Sequence, residues 1–358
     1  MNRANELNHF FKDTLQWNKT RISFLVKILQ ALITMRTVNL TELAQAFCSK
    51  AKTESSYRRI QRFLSGFAFD PTLIIPLLLK LFSLSEKQLV LAIDRTHWKW
   101  GRRHINILLV SIVYGKTALP IYWKVSPAAG NSSTDSRKQA FAQILKRIGA
   151  KNIALLLADR EFIGEKWFLF LIRKKIPFII RAKKNTRAGG ICPGEQVALV
   201  RLEKNNQKNF PVLVGGHYLY ASISRAKSAE EPIIVLSNRQ WDDPISLYLK
   251  RWGIETLFGY LKSKGFRLEE THITDPKRIE RLLFVLALAF SWSFKVGLVQ
   301  TDWAKPLKKK HGRFAKSIFR TGLDRLRRIL LAVNEHWEAF LEMIDILIFF
   351  KLRSYCEV

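Results

Sequence analysis

Two aspartates follow apolar runs of the kind that form buried β-strands, and acids in that position can hold a metal ion. Asp94 follows the run Leu89 to Ile93, and Asp159 follows the run Ile153 to Ala158. Neighbouring strands of an α/β sheet present their carboxyl ends at one edge, where two carboxylates can share a divalent metal. Asp is also common as a turn or helix-cap residue after a strand, so each aspartate alone stays open to that interpretation.

A third acid lies in a segment that is typical of an amphipathic helix. Pro244 opens the segment and Lys264-Gly265 ends it, since proline suits the first turn of a helix and glycine its C-terminal cap. At about 100° per residue, four polar residues fall within an arc of about 60° on one helix face: Tyr248, Arg251, Glu255 and Lys262. Arg251 and Glu255 are also i, i+4 partners, so a solvated face with an ion pair is the alternative to a site.

These residue types favour phosphodiester chemistry assisted by a hard cation. Carboxylate oxygens suit Mg²⁺ or Mn²⁺, and the sequence holds no cluster of His and Cys that would suggest zinc. Two such ions about 4 Å apart stabilise charge on the attacking and leaving oxygens of an in-line displacement. His97 lies close to Asp94 in the sequence, but strand alternation points it to the opposite face, so we interpret it as structural or phosphate-contacting.

Together, these residues resemble the DDE transposases of insertion-sequence family four. The signature of that family is Y-x2-R-x3-E-x6-K, and four residues match its types and spacing: Tyr248, Arg251, Glu255 and Lys262. Asp94 in Ala-Ile-Asp-Arg-Thr and Asp159 in Ala-Asp-Arg-Glu resemble the two acidic motifs of the family. The resemblance extends over residues 88 to 264 and includes a β-rich insertion between the second Asp and the Glu.

The resemblance implies an enzyme that cuts and joins DNA with two Mg²⁺ ions, or with Mn²⁺ in their place. Asp94, Asp159 and Glu255 would be the catalytic residues and the metal ligands. Activated water would release a 3′-hydroxyl at the transposon end, and this hydroxyl would attack target DNA, in some members after forming a hairpin. Three further residues of the signature would bind phosphates of the end DNA: Tyr248, Arg251 and Lys262.

Some members of the family hold a flipped base on a tryptophan of the insertion. The range 184–236 of this sequence contains no tryptophan. Phe210, Tyr218 or Tyr220 are the aromatic residues that would stack on a base instead.

The elements that position these residues predict an α/β fold. The expected architecture is a ribonuclease-H-like mixed-sheet catalytic core with a β-rich insertion and helical N- and C-terminal regions. Three strands form a meander with a tight turn at Gly115, and helices and strands then alternate, which gives the order β-β-β-α-β-α-β. We expect five regions: a helical N-terminal DNA-binding region (1–87), the first part of the catalytic core (88–184), the β-rich insertion (185–236), the second part of the core (237–300) and a basic helical C-terminal region (301–358).

The N-terminal region contains a short helix pair, over 40–47 and 56–64, whose second member is basic. We expect Arg58, Arg59 and Arg62 to contact DNA, as the second helix of a helix-turn-helix does, and solvated arginines on an ordinary surface helix are the alternative. Near the other end, the very apolar range 279–294 predicts a buried helix whose uncharged part is too short to span a membrane.

The charge of the chain argues for a polyanionic partner. The 358 residues include 60 Lys and Arg against 29 Asp and Glu, a formal net charge of +31, and the 48% apolar content is enough for a folded core. The excess is concentrated: no acid lies between Asp94 and Asp135, and the range 173–187 carries only basic charges. In the range 305–328, Asp324 is the single acid among many basic residues.

The expected partner is duplex DNA at the transposon ends and at the target, bound by a homodimer or a larger synaptic complex. The cysteines Cys48, Cys192 and Cys356 are far apart and favour a reduced protein; with no apolar leader and no expected membrane span, we predict a cytoplasmic, nucleoid-associated protein. Two alternatives stay open: a related metal-dependent nuclease or resolvase that cuts without joining, and a non-catalytic DNA-binding protein on the same scaffold.

Overall fold

The computed structural model describes residues 3–47, 51–66, 69–189, 197–199, 208–224, 232–303 and 314–351. The strands are β1 (Leu89–Trp100), β2 (Arg103–Tyr114), β3 (Thr117–Ser126), β4 (Ile153–Ala158), β5 (Phe178–Arg181), β6 (Arg187–Ala188), β7 (Val197–Ala198), β8 (Phe210–Val214), β9 (His217–Ser224) and β10 (Ile233–Ser237). The helices are α1 (Arg3–Leu15), α2 (Lys19–Met35), α3 (Leu40–Gln45), α4 (Thr53–Ser65), α5 (Ile74–Leu81), α6 (Thr134–Ile148), α7 (Glu165–Arg173), α8 (Pro244–Leu249), α9 (Trp252–Leu261), α10 (Pro276–Trp303), α11 (Ile318–Leu331) and α12 (Trp337–Ile348).

A mixed sheet of eight strands runs in the order β3-β2-β1-β4-β5-β10-β9-β8. The first three strands form an antiparallel meander, and β4 and β5 pair parallel to β1 and to each other. The order β-β-β-α-β-α-β predicted from the sequence is therefore confirmed. Gly115 makes the turn between β2 and β3 with a φ of 58°, in the left-handed region that glycine adopts without strain.

Strands β8, β9 and β10 fall in or next to the range predicted as an insertion, and they extend the same sheet beyond β5. Strands β6 and β7 form a separate pair. Residues 200–202 of a predicted strand lie outside the described residues. The same holds for Cys48, Cys192 and Cys356 and for 304–313 within the basic C-terminal region.

Helix α10 is the central helix of the α-helical part. It is longer than the predicted range 279–294, and the prediction that it is buried is confirmed, because its most apolar window lies entirely inside the protein. By length and composition alone α10 would be long enough to cross a membrane, but the core helix of a globular protein meets the same criterion. Helices α2 and α11 pack on α10, and Trp17 of the N-terminal helices contacts Phe284 at 5.7 Å between ring centroids.

Candidate active site

Asp94 and Asp159 lie where two neighbouring strands separate. The parallel pairing of β1 with β4 ends at Ile93 and Ala158, so the next residue on each strand is one of the two aspartates. The prediction that the first strand ends before Asp94 was wrong, because β1 continues to Trp100 through its antiparallel pairing with β2. Asp94 is thus held on a continuing strand, whereas Asp159 begins a loop.

The predicted single helix from Pro244 is two helices, α8 and α9, and this correction changes how its polar residues are placed. Between them, the N–H groups of Lys250 and Arg251 donate to carbonyls three residues earlier, which tightens the chain. Gly253 then packs on the backbone of β3, where an added Cβ would lie 2.5 Å from the carbonyl oxygen of Thr117. Arg251 lies at the break, and Lys262 directly follows the last residue of α9.

Arg251 is the centre of the site. Its guanidinium donates to Asp94 Oδ2 at 2.8 Å and to Glu255 Oε1 at 2.6 Å, and only 5% of its side chain is exposed. Its Nε donates to the Tyr248 hydroxyl at 3.2 Å. One cation therefore joins acids from two separate elements, β1 and α9.

Tyr248 connects the third acid to this network. Its hydroxyl donates to Asp159 Oδ1 at 3.3 Å, and the ring is buried. Asp94, Asp159 and Glu255 are thus linked indirectly, through Arg251 and Tyr248. Both linking residues were expected from the sequence to bind DNA phosphates. Both side chains point into the acid cluster, away from an open surface.

Burial shifts the protonation of the cluster. It raises the pKa of Asp94 from 3.8 to about 6, although Arg251 and the backbone N–H of Arg95 act to lower it. Burial also raises the pKa of the Tyr248 hydroxyl, which keeps the group a hydrogen-bond donor to Asp159. For Arg251, burial acts to lower the pKa, but Tyr248 and the acids outweigh it and the net shift is upward.

Arg95 and Glu161, which were not predicted as site residues, form a second ion pair close in the sequence to the two aspartates. Arg95 Nε lies 3.2 and 3.1 Å from the two carboxylate oxygens of Glu161. Arg95 also donates to the carbonyl of Gly130 and to Asn131 Oδ1, so it ties the loop before α6 to both strands. The signal available in the sequence is position: Arg95 directly follows Asp94, and Glu161 is two residues after Asp159.

Arg137 of α6 contacts both the loop before α6 and the backbone close to Asp159. It is buried, and its guanidinium donates to Ser132 and to the backbone carbonyl of Glu161 at 3.0 Å. Its charge lies 4.7 Å from the ring centroid of Phe162. Together, Arg95 and Arg137 fix both the side chain and the backbone of Glu161.

Lys262 is separate from the acids. Its Nζ lies 2.6 Å from Glu269 Oε1 and 5.7 Å from the ring centroid of Trp98. The expected stripe on one helix is therefore wrong, because Tyr248 is on α8, Glu255 is on α9 and Lys262 follows the end of α9 at Leu261.

The N-terminal arginines of α4 line two cavities, one shared by Arg58 and Arg62 and the other by Arg59 and Arg62. Arg58 and Arg62 are exposed on one side of α4, whereas the guanidinium of Arg59 lies 5.0 Å from the ring centroid of Phe24. Of the aromatic residues considered for base stacking, Tyr218 is 81% exposed, while Phe210 and Tyr220 are half-buried. His97 is exposed, and nothing in the described contacts links it to the acids.

The acids fit a divalent metal by type. Within the described residues no three His, Cys, Asp or Glu side chains lie close enough together to hold an ion. Asp94, Asp159 and Glu255 nevertheless supply hard oxygen ligands, and the Arg251 guanidinium already acts as a cation between two of them. As placed in the structure, they do not form a metal site, and the Arg251 guanidinium lies where Asp94 and Glu255 approach each other.

Comparisons with known proteins identify the family of the chain. A family model described as a transposase DDE domain matches residues 85–292, more than half of the chain. No curated protein matches the sequence. Among solved structures, endonuclease V of Bacillus subtilis is similar over 67% of this chain and 94% of that chain, with 12% identity and a TM-score of 0.25. A likeness this weak carries no argument.

Proposed function

Because the chain belongs to the family of DDE transposase domains, we propose that it is a DNA transposase of the insertion-sequence family four type. It binds the ends of its own element, cleaves them and joins them to target DNA. The observation that carries the proposal is the joining of Asp94, Asp159 and Glu255, from three separate segments, through Arg251 and Tyr248. The strand order from β3 to β5 supports a ribonuclease-H-like core, which the family implies.

Members of this family generally depend on a divalent metal. We propose that Asp94, Asp159 and Glu255 hold two Mg²⁺ ions, with Mn²⁺ as a substitute. The ions would supply Lewis-acid charge to the scissile phosphate and lower the pKa of bound water. The carboxylates are suited to this task because they are partly buried, where an ion pair is screened less than at an open surface.

The surrounding residues set the geometry of the acids. Tyr248 donates to Asp159 and so fixes which oxygen of that carboxylate is free. Arg251 neutralises Asp94 and Glu255 and, once displaced by metal, would be free to bind a phosphate beside the cut. Lys262, at the end of α9, is the more accessible of the basic signature residues and is assigned to the DNA backbone.

The remaining assignments extend the proposal to the whole chain. The N-terminal region (1–87), with Arg58, Arg59 and Arg62, would bind the element ends, and the basic C-terminal region would add backbone contacts. Two copies of the chain are expected in the active complex, because two ends must be joined. We expect the protein in the cytoplasm, associated with the nucleoid, because its substrate is DNA.

Two alternatives use the same scaffold. A nuclease or resolvase would cut without joining, and a DNA-binding protein would do neither. One assay distinguishes the transposase from both alternatives. The protein is incubated with plasmid, Mg²⁺ and a pre-cleaved DNA end that carries a free 3′-hydroxyl and is taken from the inverted repeats that flank the reading frame. Joining to plasmid supports the transposase, cleavage of intact ends without joining supports the nuclease, and binding alone supports the third.

The role of the acids is tested in the same assay with Glu255→Gln. Loss of the carboxylate should reduce cleavage by about 100-fold or more, in line with the contribution of metal-ion catalysis of several kcal/mol. Glu270→Gln is the matched control, since Glu270 is an exposed acid paired with Arg267. Full cleavage by Glu255→Gln would show that the site is assigned wrongly.

A further inference from the structure

A cavity of about 550 Å³ lies between α4 and the first turn of α10, and its lining is basic. The residues that line it are Arg58, Gln61, Arg62, Ser65 and Arg278. We call this cavity the arginine notch. No carboxylate is among these lining residues. The nearby Asp275 accepts a hydrogen bond from the backbone N–H of Arg278 and lines the neighbouring cavity instead.

The three arginines come from two helices, α4 and α10, which contact each other. Arg58 and Arg62 are one turn apart on α4, and Arg62 Nε donates to the carbonyl of Arg58. One turn beyond Arg278, Arg281 donates to the carbonyl of Leu64 at 2.9 Å, which fastens α10 to the end of α4. None of the three notch arginines has an ion-pair partner among the described residues. Three exposed guanidinium groups with no carboxylate partner form a site that favours a bound anion such as phosphate.

A polar and aromatic surface connects the notch to the acid cluster. Gln61 and Arg278 also line the adjacent cavity of about 240 Å³, together with His272. The ring of Trp100, at the end of β1, stacks on His272 at 4.4 Å, and Arg103 donates to Thr274 Oγ1 at 3.1 Å. The strand that carries Asp94 therefore leads directly to the surface beside the notch.

The distance along this surface suits a DNA duplex. Asp94 and Trp100 are ends of one extended stretch of β1, which spans about 20 Å at about 3.3 Å per residue. Trp100 contacts His272, which lines the cavity next to the notch. The separation of Asp94 and Trp100 equals roughly six base pairs at about 3.4 Å per base pair. A duplex is rigid on this scale, so it can contact both places at once.

We propose that the arginine notch binds the phosphate backbone of the same DNA duplex that is cut at Asp94, Asp159 and Glu255. The inference rests on the proposed function for the identity of the duplex, and it adds Arg278, from the catalytic part of the chain, to a site shared with the N-terminal region. The contact is sequence-independent, because arginines reach phosphate oxygens and no base edge is required. The notch would fix the orientation of the end relative to the acids.

The test compares Arg278→Ala with Lys277→Ala, the adjacent exposed basic residue, which does not line the notch. The affinity of the full chain for a fluorescent synthetic duplex of arbitrary sequence is measured over a series of salt concentrations without metal. Removing one phosphate contact should lower affinity roughly fivefold to tenfold near 0.1 M salt and reduce the log-log salt slope by about 0.9. Lys277→Ala should change neither by a comparable amount, and thermal unfolding should show both variants folded.

Location is tested by hydroxyl-radical protection of the pre-cleaved end duplex. Arg278→Ala should lose protection roughly six to ten base pairs from the 3′-hydroxyl and keep protection at the end itself. The proposed role of the notch is contradicted by any of three results. These are an unchanged salt slope in Arg278→Ala, an equal defect in Lys277→Ala, and a loss of affinity for inorganic phosphate in Arg278→Ala without a loss of affinity for DNA. A wild-type chain that binds through the notch but neither cuts nor joins overturns the proposed function alone.

Discussion

The guanidinium of Arg251 lies 2.8 Å from Asp94 Oδ2, buried between two carboxylates that are assigned to metal. It holds two negative charges that would otherwise repel each other in a partly buried site. The same contact competes with a divalent ion for the same oxygens. On the proposed metal assignment, we expect Arg251 both to stabilise the metal-free protein and to limit how tightly metal binds.

Arg251→Met separates these two effects. Without metal, the variant should lose about 3 kcal/mol or more of unfolding free energy, because Asp94 is left buried without its partner. With Mg²⁺ or Mn²⁺, the gain in melting temperature should exceed that of the wild type, since no guanidinium must be displaced. Thermal unfolding across a metal titration measures both. Arg267→Met, at an exposed ion pair with Glu270, is the control, and a smaller metal-induced gain in Arg251→Met than in the wild type contradicts the competition.

The Arg95–Glu161 pair is expected to position the acids without contacting DNA. Arg95→Ala should lower the rate of end cleavage about 10- to 100-fold, equal to about 1.4 to 2.7 kcal/mol, with little change in DNA affinity. The double variant Arg95→Glu, Glu161→Arg should recover part of the rate, because it restores the ion pair but not the bonds to Gly130 and Asn131. Single-turnover cleavage measures the rate.

Arg160→Ala is the matched control for this pair, since Arg160 lies between Asp159 and Glu161 but is exposed. Its cleavage rate should stay near that of the wild type. A double variant no faster than the worse single variant would mean that the pair does not act through mutual attraction.

Local patterns predicted several elements closely and failed where distant residues decide the structure. The apolar run that forms β4 has the predicted bounds, because its period and its flanking residues are local. The extension of β1 past Asp94 depends on pairing with β2, and the break before α9 depends on Gly253 meeting the backbone of Thr117. Both are tertiary contacts that no helical or strand period encodes.

The candidate site shows the same division. The three acids were proposed from strand ends and from the family resemblance, and the structure links them only indirectly, through Arg251 and Tyr248. The inward role of Arg251 was not predicted, because a helical stripe gives the direction of a side chain but not what faces it. The pairing of Arg95 with Glu161 joins two motifs that are far apart in the sequence, and only the parallel pairing of β1 and β4 makes them neighbours.

We expect Lys295 to make the stability of the protein depend on pH. This lysine of α10 is buried, its Nζ donates to the carbonyl of Leu347 at 2.8 Å, and burial lowers its pKa from 10.5 to about 7. Above pH 7 the unfolded chain binds a proton at this lysine that the folded chain does not, so stability rises with pH up to the unfolded pKa. The slope is at most about 1.4 kcal/mol per pH unit.

Lys295→Met should remove this contribution. Urea unfolding from about pH 6 to about pH 10 should show wild-type stability that rises with pH, and a flatter profile in the variant. Lys277→Met, at an exposed lysine of the same helix, should retain the wild-type profile. Parallel profiles for wild type and Lys295→Met would mean that Lys295 does not titrate in this range.

Gly253 allows α9 to approach the backbone of β3 closely. Replacing Gly253 with alanine, which adds one methyl group, tests this role. In Gly253→Ala the new Cβ would meet the carbonyl of Thr117 in β3 at 2.5 Å, and neither backbone can yield without moving Arg251 and Glu255. The variant should lose about 1 to 3 kcal/mol of unfolding free energy and most of its cleavage rate. Gly259→Ala in the same helix meets only the flexible side chain of Lys264, at 3.3 Å, and should gain up to about 1 kcal/mol from helix propensity. Because both substitutions add the same atom to α9, equal cleavage by the two variants would show that the close approach to β3 does not position the acids.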